Sequence, residues 1–531
     1  MKKNKITVAI LVCLLLSAWV SPVAAKKVEI KVQTGEYSDL WIGTPELAEA
    51  IKKVKAYNLQ EGDEIVFIGS MNKADFDGIK DLIPFGGANY TPLKFKYIDI
   101  SQLEITEYKD TNGKIHPANV IPEQAFLGYR NPLSDAEKYI IGNNIVGIGT
   151  RGFSGTTAEE IVLPTTSLKT IGAFAFQGIS DLTSFTLPES VTVIENGAFD
   201  SFVWPGITVL TLPKGLKKLG GGAFSHTQLT EIILPDGVEE MGGSQTFSHS
   251  NNLTSFRFPD GVKRIVDVSL KGTEEGVLDN TFAWSQNLTS VTNLPGCITK
   301  LKGTFNGTKI TQIDLPEGIT EISDRAFPET LTSLKLPSTL TTLKRDAFAY
   351  LNQIETLELP ANVTTIANGA LKGMSNLKKL VVHNPNPDVL NYWSKDWGED
   401  KPTKKESQNV FEGIVKEGDG ACVLYVPAES VEAYRNARLW GEFKTIVAIG
   451  SDAKAQTIEN FNDFTAFVGD EPITLSAKSS APNRAITYEP EKGKEAVATI
   501  EGDVVTIKGA GTIKITAKAE GDFEWLAAEK T

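Results

Sequence analysis

The chain has 531 residues, a formal net charge of -13 and a hydrophobic fraction of 41%. An acidic surface repels phosphate backbones, which argues against a nucleic-acid partner. The length exceeds what one hydrophobic core usually holds, so several domains or an extended array of repeats are expected.

Residues 1–25 have the pattern of a secretory signal peptide. Three lysines, an apolar run over residues 6–20 and the small residues Ala24 and Ala25 follow one another in the required order. Cleavage there would change the net charge from -13 to -16. A lipoprotein signal at Cys13 is the alternative, but Val12 is bulky where such a signal needs a small residue. No later segment has the roughly 20 apolar residues of a membrane helix, so the mature chain is expected to be exported without a transmembrane segment.

Residues 26–117 are predicted to form an α/β N-terminal cap. Thr44 and Pro45 suit the N-cap and first position of a helix. Strands over residues 64–68 and 95–100 are expected to flank a second helix near residues 76–83. A repeat array needs such an end because its core is otherwise open to solvent.

Residues 118–383 contain a repeat with a period of 21 to 25 residues and one interval of 36. Its most regular feature is a proline that follows leucine at Pro164, Pro188, Pro213, Pro235, Pro295, Pro316, Pro337 and Pro360, with Phe258-Pro259 as a variant. This period is typical of leucine-rich repeats. We attribute the long interval to an insertion at about residues 266–277, which is expected to protrude as a loop.

A single repeat shows why neighbouring repeats must stack. Leu334 and Leu336 alternate inward on a short strand, which Pro337 ends because proline cannot donate to the ladder. Three further apolar residues complete the core of the unit: Leu340, Leu343 and Phe348. Since no unit buries these side chains alone, the pattern predicts a solenoid with a parallel β ladder.

The units resemble the BspA-like leucine-rich-repeat family of bacterial surface proteins over roughly residues 60–447. The Leu-Pro to Ala-Phe spacing and the segment Leu424-Tyr-Val-Pro427, followed by Tyr434 and Trp440, carry the resemblance most specifically. Family members typically end the solenoid with such a segment, which implies a C-terminal cap over residues 384–449. The resemblance also implies a bacterial protein that is secreted or on the cell surface and attaches to extracellular-matrix proteins or partner cells.

Residues 450–531 have short alternating segments at 473–477, 485–488, 496–500, 504–507 and 512–517, which is the pattern of an all-β sandwich. Residues 497–511 are similar to bacterial immunoglobulin-like modules, which serve as spacers. Thr531 falls where a closing strand is expected, so a truncated module is one expectation. The predicted fold is therefore mainly β with some α.

The sequence has no enzyme signature and only four histidines, so no catalytic residues and no cofactor are predicted. Cys297 and Cys422 are expected to be about five strands or 24 Å apart. A disulfide needs Cα atoms about 4.4 to 6.8 Å apart, so both are expected to be free thiols. His226 and His249 are a candidate metal pair, but they fall short of the usual three or four ligands, and no metal site is assigned.

The outward positions of successive strands are predicted to form a ligand surface in two rows. The first row is Ser184, Val209, Glu231, Ser255, Ser290, Gln312, Ser333 and Thr356. The second is Thr186, Thr211, Ile233, Arg257, Thr292, Asp314, Lys335 and Glu358. The candidate binding residues are the polar and charged members Arg257, Asp314, Lys335, Glu358, Glu231 and Gln312, because mixed charges orient a protein partner. Solvated strand faces favour Thr and Ser in any case, so a surface without a ligand stays an alternative.

Three functions are compatible with these features. The first is an adhesin for host extracellular matrix or partner cells. The second is a glycan-capture protein, with Tyr392, Trp393 and Trp397 as candidate contacts, although packing of these aromatic residues against the solenoid is the alternative. The third is a structural surface protein without a specific ligand. The expected partners are extracellular proteins or surface glycans, and the protein is expected to be monomeric.

Overall fold

The computed structural model describes residues 26–32, 59, 62–82, 94–110, 113–128, 131–204, 206, 208–269, 272–387, 410–451, 456–482, 484–520 and 528–531. The predicted signal peptide and the helix predicted to begin at Thr44 lie outside these residues. The chain divides into two compact units. The first unit comprises Met1–Ile354, Thr365–Ser375 and Asn391–Gly413. The second comprises Glu355–Thr364, Asn376–Leu390 and Ile414–Thr531.

The fold is mainly β, with few helices. The strands up to residue 242 are β1 Lys27–Val32, β2 Glu64–Met71, β3 Phe95–Ile105, β4 Tyr108–Lys109, β5 Ile115–His116, β6 Val120–Ile121, β7 Ala136–Ile140, β8 Gly147–Ile148, β9 Glu160–Val162, β10 Thr170–Ile171, β11 Val193–Ile194, β12 Val209–Thr211, β13 Lys218–Leu219, β14 Glu231–Ile233 and β15 Glu240–Gly242. The strands up to residue 382 are β16 Ser255–Arg257, β17 Arg264–Ser269, β18 Gly272–Glu275, β19 Val277–Asp279, β20 Ser290–Thr292, β21 Lys300–Lys302, β22 Glu321–Ser323, β23 Thr342–Leu343, β24 Thr356–Leu359, β25 Thr365–Ile366 and β26 Lys379–Val382.

The remaining elements lie toward the C-terminus or are helical. The last strands are β27 Val423–Val426, β28 Ile446–Ala448, β29 Ile458–Glu459, β30 Ile473–Thr474, β31 Lys478–Ser479, β32 Ile486–Pro490, β33 Ala498–Glu501, β34 Val504–Ile507, β35 Ile515–Ala519 and β36 Ala528–Lys530. Among the residues that the structure describes, the α-helices are α1 Lys73–Leu82 and α2 Val431–Asn436, and the short 3-10 helices are Pro132–Ser134, Ala428–Ser430 and Trp440–Glu442.

The first unit begins with a parallel sheet in the order β1, β2, β3, β7 and β9. The predicted second helix and both predicted strands are present, as α1, β2 and β3. Helix α1 begins three residues earlier than expected because Asn72 and Asp75 form a reciprocal cap. The Asn72 side chain accepts from the Asp75 backbone N–H at 3.0 Å, and the Asp75 carboxylate accepts from that of Asn72 at 2.9 Å. Phe76 packs edge-on against Phe126, which lies among the early repeats.

The repeats of the first unit share a column of buried phenylalanines. Leu334, Leu336, Leu340, Leu343 and Phe348 are all buried, as predicted for the representative unit. The rings of consecutive repeats lie 4.9 to 6.4 Å apart between centroids. The column consists of Phe126, Phe153, Phe176, Phe199, Phe224, Phe247, Phe282, Phe305, Phe327 and Phe348. Each ring is thus buried between the rings of the adjacent repeats, so every repeat is packed against the next one.

A second parallel ladder, which the sequence reading did not predict, follows the proline of each repeat. One sheet contains β6, β8, β10, β11, β13, β15 and β17 in parallel order, and another contains β19, β21, β22, β23 and β25. Many of these strands are only two residues long, too short to show an alternating pattern in the sequence. Charged side chains on this ladder pair across strands, as Lys218 does with Glu195 and Glu240.

The predicted insertion is a β-hairpin rather than a loop. Strand β17 pairs in parallel with β15, continues past it, and then pairs antiparallel with β18. The inserted residues thus lengthen the repeat strand β17 and fold back on it as β18. Their backbone groups form hydrogen bonds with each other within this hairpin. Arg264 forms ion pairs with Glu240 at 2.9 Å and Glu275 at 2.6 Å, which connect the hairpin to the neighbouring repeat.

The second unit contains a parallel sheet in the order β24, β26, β27 and β28 and several small antiparallel sheets. Beside the parallel sheet, Tyr434 and Trp440 are buried, and the Tyr434 hydroxyl donates to the Asn384 carbonyl at 2.7 Å. The five strands predicted after residue 470 are found as β30, β32, β33, β34 and β35, with β34 matching its predicted bounds. Their apolar side chains form two small clusters, one around Val505 and one around Ala517.

Candidate functional site

The outward positions of the predicted ladder in the first unit form the strand face, which we define as the two rows of residues given above as far as Ser333 and Lys335. Its register agrees with the prediction where strands pair. Val209 lies opposite Glu231, and Thr211 lies opposite Ile233. Ser255 lies opposite Ser290, and Arg257 opposite Thr292.

The ladder under the strand face is not continuous, which corrects the expectation. Residues 310–315 and 331–336, which carry Gln312, Asp314 and Lys335, lie outside the hydrogen-bonded strands. They still run side by side, since the Thr332 backbone N–H donates to the Thr311 carbonyl at 2.9 Å. Gln312, Asp314 and Lys335 are all exposed.

The Arg257 guanidinium is held by two carboxylates from the turns that follow the strands. It lies 3.1 Å from Asp236 and 2.6 Å from Asp260. The Asp260 backbone N–H and the Arg257 guanidinium hold the pKa of Asp236 below its usual value. Arg257 is therefore largely neutralised within the protein, although its side chain remains about half exposed.

Three other charged candidates have no such partner. Within the part of the chain that the structure describes, the exposed side chains of Glu231, Asp314 and Lys335 form no hydrogen bond or ion pair. Their charges are thus available to a ligand. Glu358 belongs to the second unit, where it accepts from the His383 imidazole at 2.5 Å and is only half-exposed.

The strand face also exposes aliphatic side chains. Val209 is 45% exposed and Ile233 is 42% exposed, and they lie diagonally on the paired strands β12 and β14. β-branched residues favour strands, so one such side chain in solvent is ordinary. Two on adjoining strands beside the unpaired Glu231 form an apolar spot with a charged rim, which is a common feature of protein interfaces.

The histidines of the candidate metal pair lie side by side on consecutive repeats. The rings of His226 and His249 have centroids 4.7 Å apart and are inclined by 13°, so they stack face to face. The Nδ1 atom of His226 lies 2.7 Å from the Ser225 hydroxyl and 3.1 Å from the Asp200 carboxylate. Among the described residues, no group of three or more His, Cys, Asp or Glu is placed to hold a metal ion.

The two histidines belong to a row that we call the left-handed corner. Each member lies two positions after the repeat phenylalanine or its equivalent and has a positive φ. The members are Gly155, Gly178, Ser201, His226, His249, Trp284, Gly307, Tyr350 and Gly373. Backbone hydrogen bonds join consecutive corners, as from His226 to the Ser248 carbonyl and from Trp284 to that of Asn306. Trp284, which is 48% exposed, was not among the residues predicted from the sequence. Aligning the repeats on their phenylalanines would have identified Trp284, because His226, His249 and Trp284 occupy the same position in three consecutive repeats.

Tyr392, Trp393 and Trp397, the candidate glycan contacts, lie outside the described residues. Cys297 and Cys422 are free thiols, as predicted. In the part of the chain that the structure describes, no helix is long and apolar enough to cross a membrane.

The repeats match a known family. Residues 146–276 and 276–392 match the BspA type leucine rich repeat region, with six copies of the repeat. This part of the chain is therefore a BspA-type leucine-rich-repeat region. No curated protein matches the sequence significantly.

Several solved structures are similar to this chain. A leucine rich cell surface protein from Faecalibacterium prausnitzii A2-165 is 19% identical, with a TM-score of 0.35, over 57% of this chain and 88% of the other. A leucine-rich repeat protein from Bacteroides ovatus ATCC 8483 is 20% identical, with a TM-score of 0.39, over 66% and 92%. The pneumococcal vaccine antigen PcpA is 19% identical, with a TM-score of 0.33, over 67% and 91%. At these TM-scores, the similarities say nothing about a ligand.

Proposed function

We propose that this protein is a secreted or cell-surface adhesin that binds extracellular proteins through the strand face and catalyses no reaction. In this proposal the repeats form one solenoid between an α/β N-terminal cap and a C-terminal capping segment. The last module is an immunoglobulin-like spacer. The BspA-type repeat region supports a role in protein interaction, because stacked repeats present extended surfaces that bind partners.

The observation that carries the proposal is the pairing of exposed apolar and unpaired charged side chains on one face. Val209 and Ile233 would each lose solvent-exposed apolar area in an interface, which stabilises it. Glu231, Asp314 and Lys335 lie on the same face without internal partners among the described residues, so binding breaks no ion pair of theirs. Aliphatic and charged groups together suit a protein ligand better than a sugar, which is recognised by aromatic faces.

The test uses the secreted chain and surfaces coated with fibronectin, laminin or collagen. Val209→Lys combined with Ile233→Lys should weaken binding to the recognised protein at least tenfold, because it removes the apolar contact of both side chains and adds two charged groups that an interface would have to desolvate. The matched control is Ile115→Lys, since Ile115 is 54% exposed on β5 in the antiparallel hairpin β4–β5, outside the strand face.

The control should bind like the unchanged chain, and all variants should retain its melting temperature to within about 2 °C, since exposed substitutions cost little stability. Equal loss in the double variant and in the control would show a general effect of added charge. Undiminished binding by the double variant would remove the strand face as the site.

A further inference from the structure

The left-handed corner has a conformational cost that differs from residue to residue. Glycine adopts a positive φ without steric penalty, and Gly155, Gly178, Gly307 and Gly373 do so here. A bulky residue in this conformation is an outlier that destabilises the folded chain. Trp284 has a φ of 62°. The protein therefore places a tryptophan where glycine would be easier and leaves nearly half of it in solvent.

Two other aromatic residues with positive φ show how the cost is usually offset. Phe174 packs against Gly197, where an added Cβ would lie 2.3 Å from the ring, and the Arg151 guanidinium covers its ring 5.0 Å from the centroid. Tyr350 packs against Gly373 in the same way, and Arg325 lies 4.7 Å from its ring centroid. Both rings are thus held between a glycine and a cation, which stabilises them through packing and a cation–π interaction.

Trp284 has only half of this arrangement. Its indole lies against Gly307, where an added Cβ would be 2.8 Å from Cε3. Within the described ranges, no cation and no aromatic ring covers the other indole face. With 48% of the residue exposed, the indole has aromatic surface available to a ligand, and a backbone outlier of this kind at the surface points to a function.

The corners beside Trp284 supply polar groups. His226 and His249 are exposed and precede Trp284 in the row, and their rings stack 4.7 Å apart. The half-buried Asp200 carboxylate lies next to His226. At about 4.8 Å for each repeat, the distance from Trp284 to the corner beside Asp200 is about 14 Å over three steps.

We propose that Trp284, His249, His226 and Asp200 form a binding site for a neutral carbohydrate chain. A pyranose ring would stack its C–H face on the open indole face of Trp284. The hydroxyls of the following sugar rings would exchange hydrogen bonds with the imidazole nitrogens and the Asp200 carboxylate. A site about 14 Å long accommodates an oligosaccharide rather than a single sugar.

The chemistry of the row favours a carbohydrate over a protein ligand. An aromatic body beside polar tips suits a ring that has one apolar face and a polar edge. The aliphatic groups that would suit a protein partner lie instead on the strand face. This inference goes beyond the proposed function, since it assigns a second surface and another class of ligand.

The decisive variant is Trp284→Gly. It removes the indole and replaces a strained residue by the one that the corner uses elsewhere, so the fold should be retained or slightly stabilised. The matched control is Tyr350→Gly, which removes a covered aromatic ring from the same row. Binding is measured by affinity gel electrophoresis with a mixed-linkage β-glucan, a mannan and a galactan, and by tryptophan fluorescence with the polymer that binds.

We expect the unchanged chain to bind at least one of these polymers with a change in tryptophan emission. Trp284→Gly should weaken that binding at least tenfold and abolish the emission change, whereas Tyr350→Gly should alter it less than twofold. The Val209→Lys and Ile233→Lys double variant should still bind the polymer, which separates this site from the strand face. Undiminished polymer binding by Trp284→Gly, or no binding of any of the three polymers by the unchanged chain, would overturn the proposal. Loss of binding to fibronectin alone in Trp284→Gly would identify a protein site instead.

Discussion

The imidazole rings of His226 and His249 lie stacked 4.7 Å apart on consecutive repeats, so a positive charge on His226 disfavours protonation of His249. Partial burial, and secondarily His226, lower the pKa of His249 below its usual value of 6.5. A histidine whose pKa is lowered by folding binds more protons in the unfolded chain, so its contribution to stability is lost as the pH falls below about 6.5.

The first prediction follows from this direction. His249→Asn removes the titrating ring and retains a residue that tolerates positive φ. The melting temperature of His249→Asn minus that of the unchanged chain should increase as the pH is lowered from 7.5 to 5. Ser201→Asn in the same row is the control, and its difference from the unchanged chain should be independent of pH. A pH-independent difference for His249→Asn would contradict the coupling.

The second prediction concerns a buried carboxylate at the base of the β17–β18 hairpin. Asp267 is 5% exposed, and its Oδ1 atom has no hydrogen-bond partner. Burial, and secondarily Asp279, raise the pKa of Asp267. An acid whose pKa is raised by folding contributes most to the stability of the folded chain at low pH. That contribution is lost as the pH rises above 3.8, the usual pKa of an aspartic acid.

Asp267→Asn should therefore raise the melting temperature by about 1–3 °C at pH 7.5 and by less at pH 4. Thermal unfolding followed by circular dichroism measures this difference. The exposed Asp314→Asn is the control and should have no effect at either pH. A lower melting temperature for Asp267→Asn at pH 7.5 would mean that the charged carboxylate stabilises the hairpin.

The third prediction distinguishes the two thiols. Burial raises the pKa of Cys422 to about 12, and burial also raises that of the half-buried Cys297. Since the thiolate is the reactive form, iodoacetamide at pH 8 should modify Cys297 slowly and Cys422 only after unfolding. Peptide mass spectrometry of native and urea-treated protein measures both sites. Faster labelling of native Cys422, or a disulfide between the two residues, is the contrary result.

The repeat period predicted much of this fold because leucine, proline and phenylalanine alternate strongly enough to define each unit. The pairing of Arg257 with Thr292, across the repeat that contains the insertion, followed from that pattern alone. The second ladder did not, since strands such as β10 and β11 have two residues each. The ion pairs of Arg257 also escaped prediction, because Asp236 comes from the turn of another repeat.

The candidate sites were less predictable than the core. Burial forces a periodic pattern on core residues, whereas an exposed side chain such as Trp284 needs no pattern in the sequence. Its significance depends on a backbone angle and on an uncovered ring face, and both emerge only when the repeats are stacked. The unpaired state of Lys335 likewise depends on neighbours that lie one repeat away.

The last prediction tests whether the free charges of the strand face contact the ligand. Asp314 and Lys335 are exposed on adjacent repeats, and neither has an ion-pair partner among the residues that the structure describes. Lys335→Glu makes this surface more negative and Asp314→Lys makes it more positive. For a given protein ligand, the two variants should therefore shift the affinity in opposite directions, by about fivefold each at 50 mM salt.

The direction for each variant reports the charge of the ligand surface. An acidic ligand should be bound more weakly by Lys335→Glu and more tightly by Asp314→Lys. A basic ligand should be bound more tightly by Lys335→Glu and more weakly by Asp314→Lys. Both shifts should become small at 0.5 M salt, where screening acts over only a few ångströms. Glu329→Lys, an exposed charge reversal outside the strand face, is the control and should change the affinity less than twofold. Shifts in the same direction for both variants, or shifts that persist at high salt, would mean that these residues affect the fold rather than contact the ligand.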